Sequence, residues 1–265
     1  MRRISKSIVP WLGVLLALTV GMASATPMPN SAVIRARIFN DCPISILTTN
    51  NSYPASVSIG DQNQGCVGFA NLHNWRFSED GTNPAVFNNG DCFHFGAILV
   101  ISGPGEAEAG LQVSPWWSQD VDGRFNVRTT DGEIACFGGR LPFYSFSGAP
   151  HNLRYTKGDA IVLKINYNPH GLTQANPATI EYVVVYNNTL YSSGNLAFDM
   201  GNPNDPPHGF WGMLDDARVG GHFQYFVGMS APDRAVTVTW SDIKFQDCPV
   251  AVEPAHWGSI KQLFR

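Results

Sequence analysis

Along residues 106–118 (EAEAGLQVSPWWS) apolar and polar positions alternate with period two. Glu106, Glu108, Gly110, Gln112, Ser114 and Trp116 fall on one side, and Ala107, Ala109, Leu111, Val113, Pro115 and Trp117 on the other. A strand turns alternate residues to opposite faces of its sheet. The pattern therefore predicts a strand with an apolar core face and a polar face bearing two carboxylates, an amide and an indole. The same period recurs over Val33–Phe39, Asp91–Ser102, Arg124–Thr130, Glu133–Phe137, Ala160–Tyr167, Thr179–Tyr186, Leu190–Phe198, Gly220–Val227 and Val236–Phe245, with one or two shorter strands inside Ile44–Ser58. Gly103-Pro104-Gly105, Asp122-Gly123, Asp131-Gly132 and Asn187-Asn188 supply turns between them. The two consecutive Asp-Gly turns predict a meander, with the polar faces of 106–118, 124–130 and 133–137 side by side. Residues 68–81 (GFANLHNWRFSEDG) show no such period and read as a packed aromatic loop, a candidate rim for a cleft. No helical period persists beyond one or two turns.

About ten to thirteen strands at regular spacing in one chain predict a sandwich or barrel. Three stretches carry a more particular pattern: Tyr155-Thr156-Lys157-Gly158-Asp159 before an apolar strand, Trp211-Gly212 before Gly220-Gly221-His222-Phe223-Gln224, and the closing strand Thr237-Val238-Thr239-Trp240-Ser241-Asp242-Ile243. In this order they resemble the concanavalin A-like lectin/glucanase superfamily over residues 33–246. The resemblance implies an all-β fold, an antiparallel two-sheet jelly-roll sandwich, with one sheet face concave and open to a carbohydrate. The domains expected are a signal peptide over 1–25, a lead over 26–32, the jelly roll over 33–248 and a C-terminal tail over 249–265.

The signal is read from basic Arg2, Arg3 and Lys6, the apolar run 8–21 and the small residues Ala23-Ser24-Ala25. It places the protein outside the cytoplasm: secreted, periplasmic or on the cell surface, with no membrane span in the mature chain. Of 17 Lys and Arg, three lie in the signal, leaving 14 against 21 Asp and Glu, a net charge of −7. That excess of acid argues against nucleic acid as a partner. Five cysteines in an oxidising compartment permit two bridges in fifteen arrangements. The repeated Asp41-Cys42-Pro43 and Asp247-Cys248-Pro249 suggests a pair. Each cysteine follows the end of its own strand, however, and antiparallel neighbours would hold the two roughly 20 Å apart. Cys66–Cys92 is the bridge favoured instead. The tail, aromatic at Trp257 and Phe264 and basic at its end, reads as a terminal helix or an anchoring segment.

On the polar rows, Gln112, Trp116, Arg124, Asn126, Arg128, Lys164, Asn166, Glu181, His222 and Gln224 are the expected ligand-binding set. Sugar hydroxyls need paired donors and acceptors, and sugar C–H faces stack on aromatic rings. A water-facing sheet surface is the plain alternative. Glycoside hydrolysis needs two carboxylates roughly 5–9.5 Å apart, and Glu106, Glu108 and Glu133 are the candidates. The laminarinase-like hydrolases of the resembled superfamily carry Glu-x-Asp-x-x-Glu on one strand; here the strand reads Glu106-x-Glu108-x-x-Leu111. A lyase of the alginate-lyase type would use an Arg/Gln/His group to neutralise a uronate, which Arg124, Arg128, Gln112 and His222 offer, with a Tyr or His base. Whether the chain is an enzyme stays open, as does a surface structural or adhesion role. No cofactor is expected; Asp205, Asp215 and Asp216 offer calcium ligands for a structural ion only, without the spacing of an ordered cage.

Overall fold

The computed structural model describes residues 26–198, 211–213 and 215–248. Two antiparallel sheets pack face to face. The first, sheet A, has seven strands in the order β1 (Ser31–Asn40), β4 (Asn71–Ser78), β14 (Arg218–Tyr225), β6 (Ala107–Ser114), β7 (Arg124–Arg128), β8 (Ile134–Phe137) and β9 (Tyr144–Ser145). The second, sheet B, runs β12 (Thr189–Ser192), β11 (Thr179–Tyr186), β10 (Ala160–Asn168), β5 (Phe93–Ser102), β15 (Ala235–Asp247), β3 (Ser56–Gln62) and β2 (Ile46–Ser52), with β13 (Leu196–Ala197) also paired to β11. This is the two-sheet antiparallel sandwich that the period-two pattern predicts. The signal and tail lie outside the described residues.

Alternation builds the core. Ala107, Ala109, Leu111 and Val113 of β6 face Leu99, Ile101, Leu163 and Ile165 of sheet B, all buried. The indoles of Trp75 and Trp240 meet edge-on between the sheets at 6.1 Å. They fit because Gly221 lies beneath them: a Cβ there would stand 2.4 Å from the Trp75 Nε1. Trp240 Nε1 donates across the sandwich to the Gly110 carbonyl at 3.0 Å, satisfying its buried N–H.

Three sequence expectations change. Asn71–Ser78, expected to be part of an irregular loop, is a buried central strand. It escaped notice because both of its faces hold polar groups: Asn71 and His73 point inward with Trp75 and Phe77, while Asn74 and Arg76 point outward. The opening strand ends at Ser114, and Trp116–Ser118 forms a 3-10 turn instead of continuing it. The bridges are Cys42–Cys66 and Cys92–Cys248, with Cys136 free and buried, and not Cys66–Cys92. Antiparallel pairing of β5 with β15 sets Phe93 opposite Asp247, which brings Cys92 beside Cys248. The expectation that Cys42 and Cys248 do not pair with each other holds.

The inward polar residues of β4 form a second link between the sheets. His73 Nε2 lies 3.1 Å from Asp61 Oδ2 on β3, and Asn71 Nδ2 donates to the same oxygen at 2.7 Å. A bulge in β1 turns the Arg37 N–H onto His73 Nδ1 at 3.0 Å, so the imidazole proton sits on Nε2 and points at the carboxylate. Burial pushes the Asp61 carboxyl up, but contacts from His73, Ser45 and Asn71 outweigh it and hold the group below its ordinary 3.8. A carboxylate depressed in the folded state stabilises the protein above the unfolded value, and that contribution fades as pH falls through the folded one. Asp61→Asn should therefore cost roughly 3 kcal/mol at pH 7 in urea unfolding. The gap between variant and wild type should narrow as the pH is taken below 3.8.

Candidate functional site

The outward face of sheet A gathers seven of the expected residues on three neighbouring strands. Across β14, β6 and β7 one row reads Gln224–Glu108–Arg128, the next His222–Gly110–Asn126, and the third Gly220–Gln112–Arg124. The neighbouring strand β4 extends the last two rows with Asn74, opposite His222, and Arg76, opposite Gly220. The glycines leave gaps that polar side chains bridge. His222 Nε2 reaches Asn126 Oδ1 at 3.0 Å across Gly110, and Arg76 Nη1 donates to Gln112 Oε1 at 2.8 Å across Gly220.

One network joins the rows. Glu108 accepts from Arg124 Nη1 at 2.7 Å and from Asn126 Nδ2 at 3.0 Å, while Arg124 also donates to Gln224 Oε1 at 3.1 Å. The amide of Asn126, held by its bond to the carboxylate, turns its oxygen to His222. A neutral imidazole then carries its proton on Nε2 and leaves Nδ1 as a bare lone pair. Burial, with Arg124 and Arg76 close by, pushes His222 well below its ordinary 6.5, so it is neutral at pH 7. Burial likewise lowers Arg76 to about 9, with Asp120 opposing and Arg35, Arg218 and Arg124 adding to the shift.

Much of this face is closed by the chain itself. The segment 115–123 between β6 and β7 folds back over the polar rows like a strap, and its carbonyl oxygens take their hydrogen bonds. Arg76 Nη2 donates to Gln119 O at 2.8 Å, Asn74 Nδ2 to Asp120 O at 3.2 Å, Arg124 Nε to Val121 O at 2.8 Å and Gln112 Nε2 to Asp122 O at 2.9 Å. An ion pair between Arg35 and Asp120 fastens the outer edge. Gly123 (φ +76°) returns the strap to the ladder, where a Cβ would stand 1.7 Å from the Val113 carbonyl. Gln112, Asn126, His222, Asn74 and Arg76 are consequently inaccessible to solvent. Three of their atoms have no partner among the described residues: Asn74 Oδ1, Arg76 Nε and His222 Nδ1.

The other end of the rows is open. There a cavity of about 330 Å³ is walled by Phe69, Phe226 and Met229 and floored by Glu108, Gln224, Arg128 and Asp131. Phe69 and Met229 are 59% and 62% exposed, and the Phe69 and Phe226 rings lie 5.9 Å apart. The Cys42–Cys66 bridge ties the loop bearing Phe69 to the end of β1. Each guanidinium at this end has an acid: Arg128 pairs with Asp131 at 2.7 Å and Glu133 at 2.8 Å, and Arg124 with Glu108.

The remaining expected residues lie elsewhere. Glu106, just before β6, pairs with Lys157 at 2.8 Å and stays ionised: burial raises it, but Lys157 and Thr129 more than compensate. Trp116 projects from the strap, half exposed and edge-on to Trp117. Lys164, Asn166 and Glu181 stand on β10 and β11, on the outer face of sheet B, at the opposite side of the sandwich. Asp215 caps the Asn89 N–H and Asp216 pairs with Arg218, while Asp205 lies outside the described residues. Among the described residues no three His, Cys, Asp or Glu converge as a metal cage. Arg76 and Asn74 were missed in the sequence because β4 was; the signal that could have found them is the outward period Leu72, Asn74, Arg76, Ser78.

No protein-family profile matches the chain, and no curated protein does. Solved structures with a similar fold include the family 7 alginate lyase A1-II′ in complex with substrate, at 8% identity and TM-score 0.45 over 77% of this chain and 82% of that one. Another is the alginate lyase from Corynebacterium sp., at 11% identity and TM-score 0.44 over 82% and 94%. A third is the lectin UEA-II complexed with galactose, at 8% identity and TM-score 0.41 over 83% and 96%.

Proposed function

We propose that this is an exported carbohydrate-binding protein that takes a neutral oligosaccharide at the open end of sheet A. The observation that carries the reading is the cavity in which Phe69, Phe226 and Met229 face Glu108, Gln224 and Arg128. An apolar wall opposite a floor of fixed donors and acceptors suits a sugar ring, whose C–H face stacks while its hydroxyls bond. At about 330 Å³ the cavity is at the small end of ligand pockets, the size for one or two sugar rings. Because each guanidinium there is already neutralised, an uncharged sugar fits better than a uronate. Two disulfides suit an oxidising, extracytoplasmic setting.

Hydrolysis is a poorer fit. Glu108 accepts hydrogen bonds at both oxygens, and Glu106 and Glu133 are each taken up by a cation, whereas hydrolysis needs a pair of carboxyl groups turned to the scissile bond. Lyase chemistry has one observation in its favour: Arg76, Gln112 and His222 form an Arg/Gln/His group beneath the strap, and Arg76 makes no ion pair among the described residues. Against it, the lowered His222 is a weak base and the group is shielded.

Three measurements test these readings. On a glycan array followed by calorimetry, the mature protein should bind a neutral oligosaccharide, and Phe69→Ala, an exposed position, should weaken binding about ten-fold. Absence of any glycan ligand, or an unchanged affinity in the variant, would sink the binding reading. Asp120→Ala should loosen the strap, accelerating amide hydrogen exchange over 116–122 by about five-fold. Neither this variant nor wild type should release unsaturated uronate from polyuronates; release would establish the lyase reading in place of binding alone.

A further inference from the structure

The outer face of sheet B is unlike the solvated face expected of an antiparallel sheet. The register of β12, β11, β10, β5 and β15 lays its side chains out in three rows. The first is wholly aliphatic across four strands: Leu190, Val185, Val162 and Ile98. The second sets Lys164 and Lys244 on either side of Gly96. The third is polar and closed on itself, with Glu181 accepting from Asn166 at 2.7 Å and His94 Nδ1 3.0 Å from Asn166 Oδ1. Together the rows form a groove of about 650 Å³, twice the volume of the cavity on sheet A.

Two local features shape it. Gly96 leaves the floor without a side chain, so the stem of Lys164 lies across it; a Cβ there would stand 2.8 Å from Lys164 Cγ. A bulge in β15 between Ser241 and Lys244 puts Asp242 at positive φ (50°) and brings both Asp242 and Lys244 to the groove. Bulges commonly re-aim side chains in this way. Asp242 then occupies Lys244 at 2.9 Å, while Lys164 is exposed and makes no ion pair or hydrogen bond among the described residues. A free cation therefore sits directly beside the aliphatic row. From β5 to β12 that row spans three strand spacings, ~14 Å.

We infer that this groove binds a single-chain amphiphile with an acidic head, of the fatty-carboxylate class. Its carboxylate would lie at Gly96 against the Lys164 ammonium, and its acyl chain would run over Ile98, Val162, Val185 and Leu190. Charge complementarity selects the occupant: an uncharged sugar would leave four aliphatic side chains against hydroxyls, and a cationic amphiphile would meet Lys164 head-on. The site is on the opposite face from the proposed sugar cavity and does not depend on it.

The test is calorimetric titration of the mature protein with dodecanoate below its micelle concentration, with dodecyltrimethylammonium as the opposite-charge control. Saturable one-to-one binding of dodecanoate is expected, with the cationic amphiphile at least about five-fold weaker. Lys164→Glu should reverse that preference, and Leu190→Ser, also at an exposed position, should weaken both. Circular dichroism of both variants checks that they fold. Failure to bind dodecanoate saturably, equal binding of the two amphiphiles, or binding indifferent to both substitutions would each overturn the assignment. So would a dimer in sedimentation that Leu190→Ser dissociates while dodecanoate fails to bind, which would give the face to a second copy of the chain.

Discussion

A buried guanidinium has to have its N–H groups bonded, because water is no longer there to do it. Arg76 imposes that demand at the middle of sheet A. It is fully buried and makes no ion pair among the described residues, so neutral oxygens serve its two terminal nitrogens, the Gln112 amide beside it and the Gln119 carbonyl above it, while its Nε has no partner there. Asn74, Gln112 and Arg124 repeat the solution with the carbonyls of residues 120–122. The strap is thus held to the sheet mainly by its backbone oxygens, with the Arg35–Asp120 ion pair fastening its outer edge. The donors that could have met the oxygens of a ligand are spent on the chain itself, and this divides the face into a closed half and an open one.

The division bears directly on chemistry. In the closed half a neutral His222 with a bare Nδ1 lies near Arg76 and Asn74, all three with an unpartnered atom. In the open half every charge is matched, and the exposed apolar groups Phe69 and Met229 stand at the rim. Matched charges and an apolar wall favour recognition of a neutral ring over stabilisation of a developing charge, which would call for an unmatched cation pointing into the cavity. Sheet B offers the reverse combination, an aliphatic floor beside a Lys164 that has no partner among the described residues, and this contrast is the basis for proposing chemically different ligands on the two faces.

Much of this was legible in the chain. The clean alternation of 107–114, 124–128, 160–168 and 179–186 identified those strands, and the Asp131-Gly132 turn predicted the pairing of β7 with β8. The same alternation told polar from core positions correctly at Glu108, Gln112, Asn126 and His222. It failed at β4, where His73 and Asn71 face inward to reach Asp61 on the other sheet, a partner ten or more residues away in sequence. It also failed to separate Lys164, Asn166 and Glu181 from Glu108 and Gln112, since a period of two says which face of a strand is polar but not which sheet the strand joins.

The sequence by itself determined the all-β class, most strand positions and the polar or apolar character of each strand face. These follow from the local geometry of an extended chain, in which side chains alternate whatever the strand's neighbours. The tertiary structure alone decided that Cys92 meets Cys248, that the strap lies over Arg76, and that the polar rows belong to opposite sides of the sandwich. Each of those depends on pairing between segments far apart in the chain, such as β5 with β15 or β4 with β14. Such pairings are chosen by the mutual fit of whole sheets, and no local period records them.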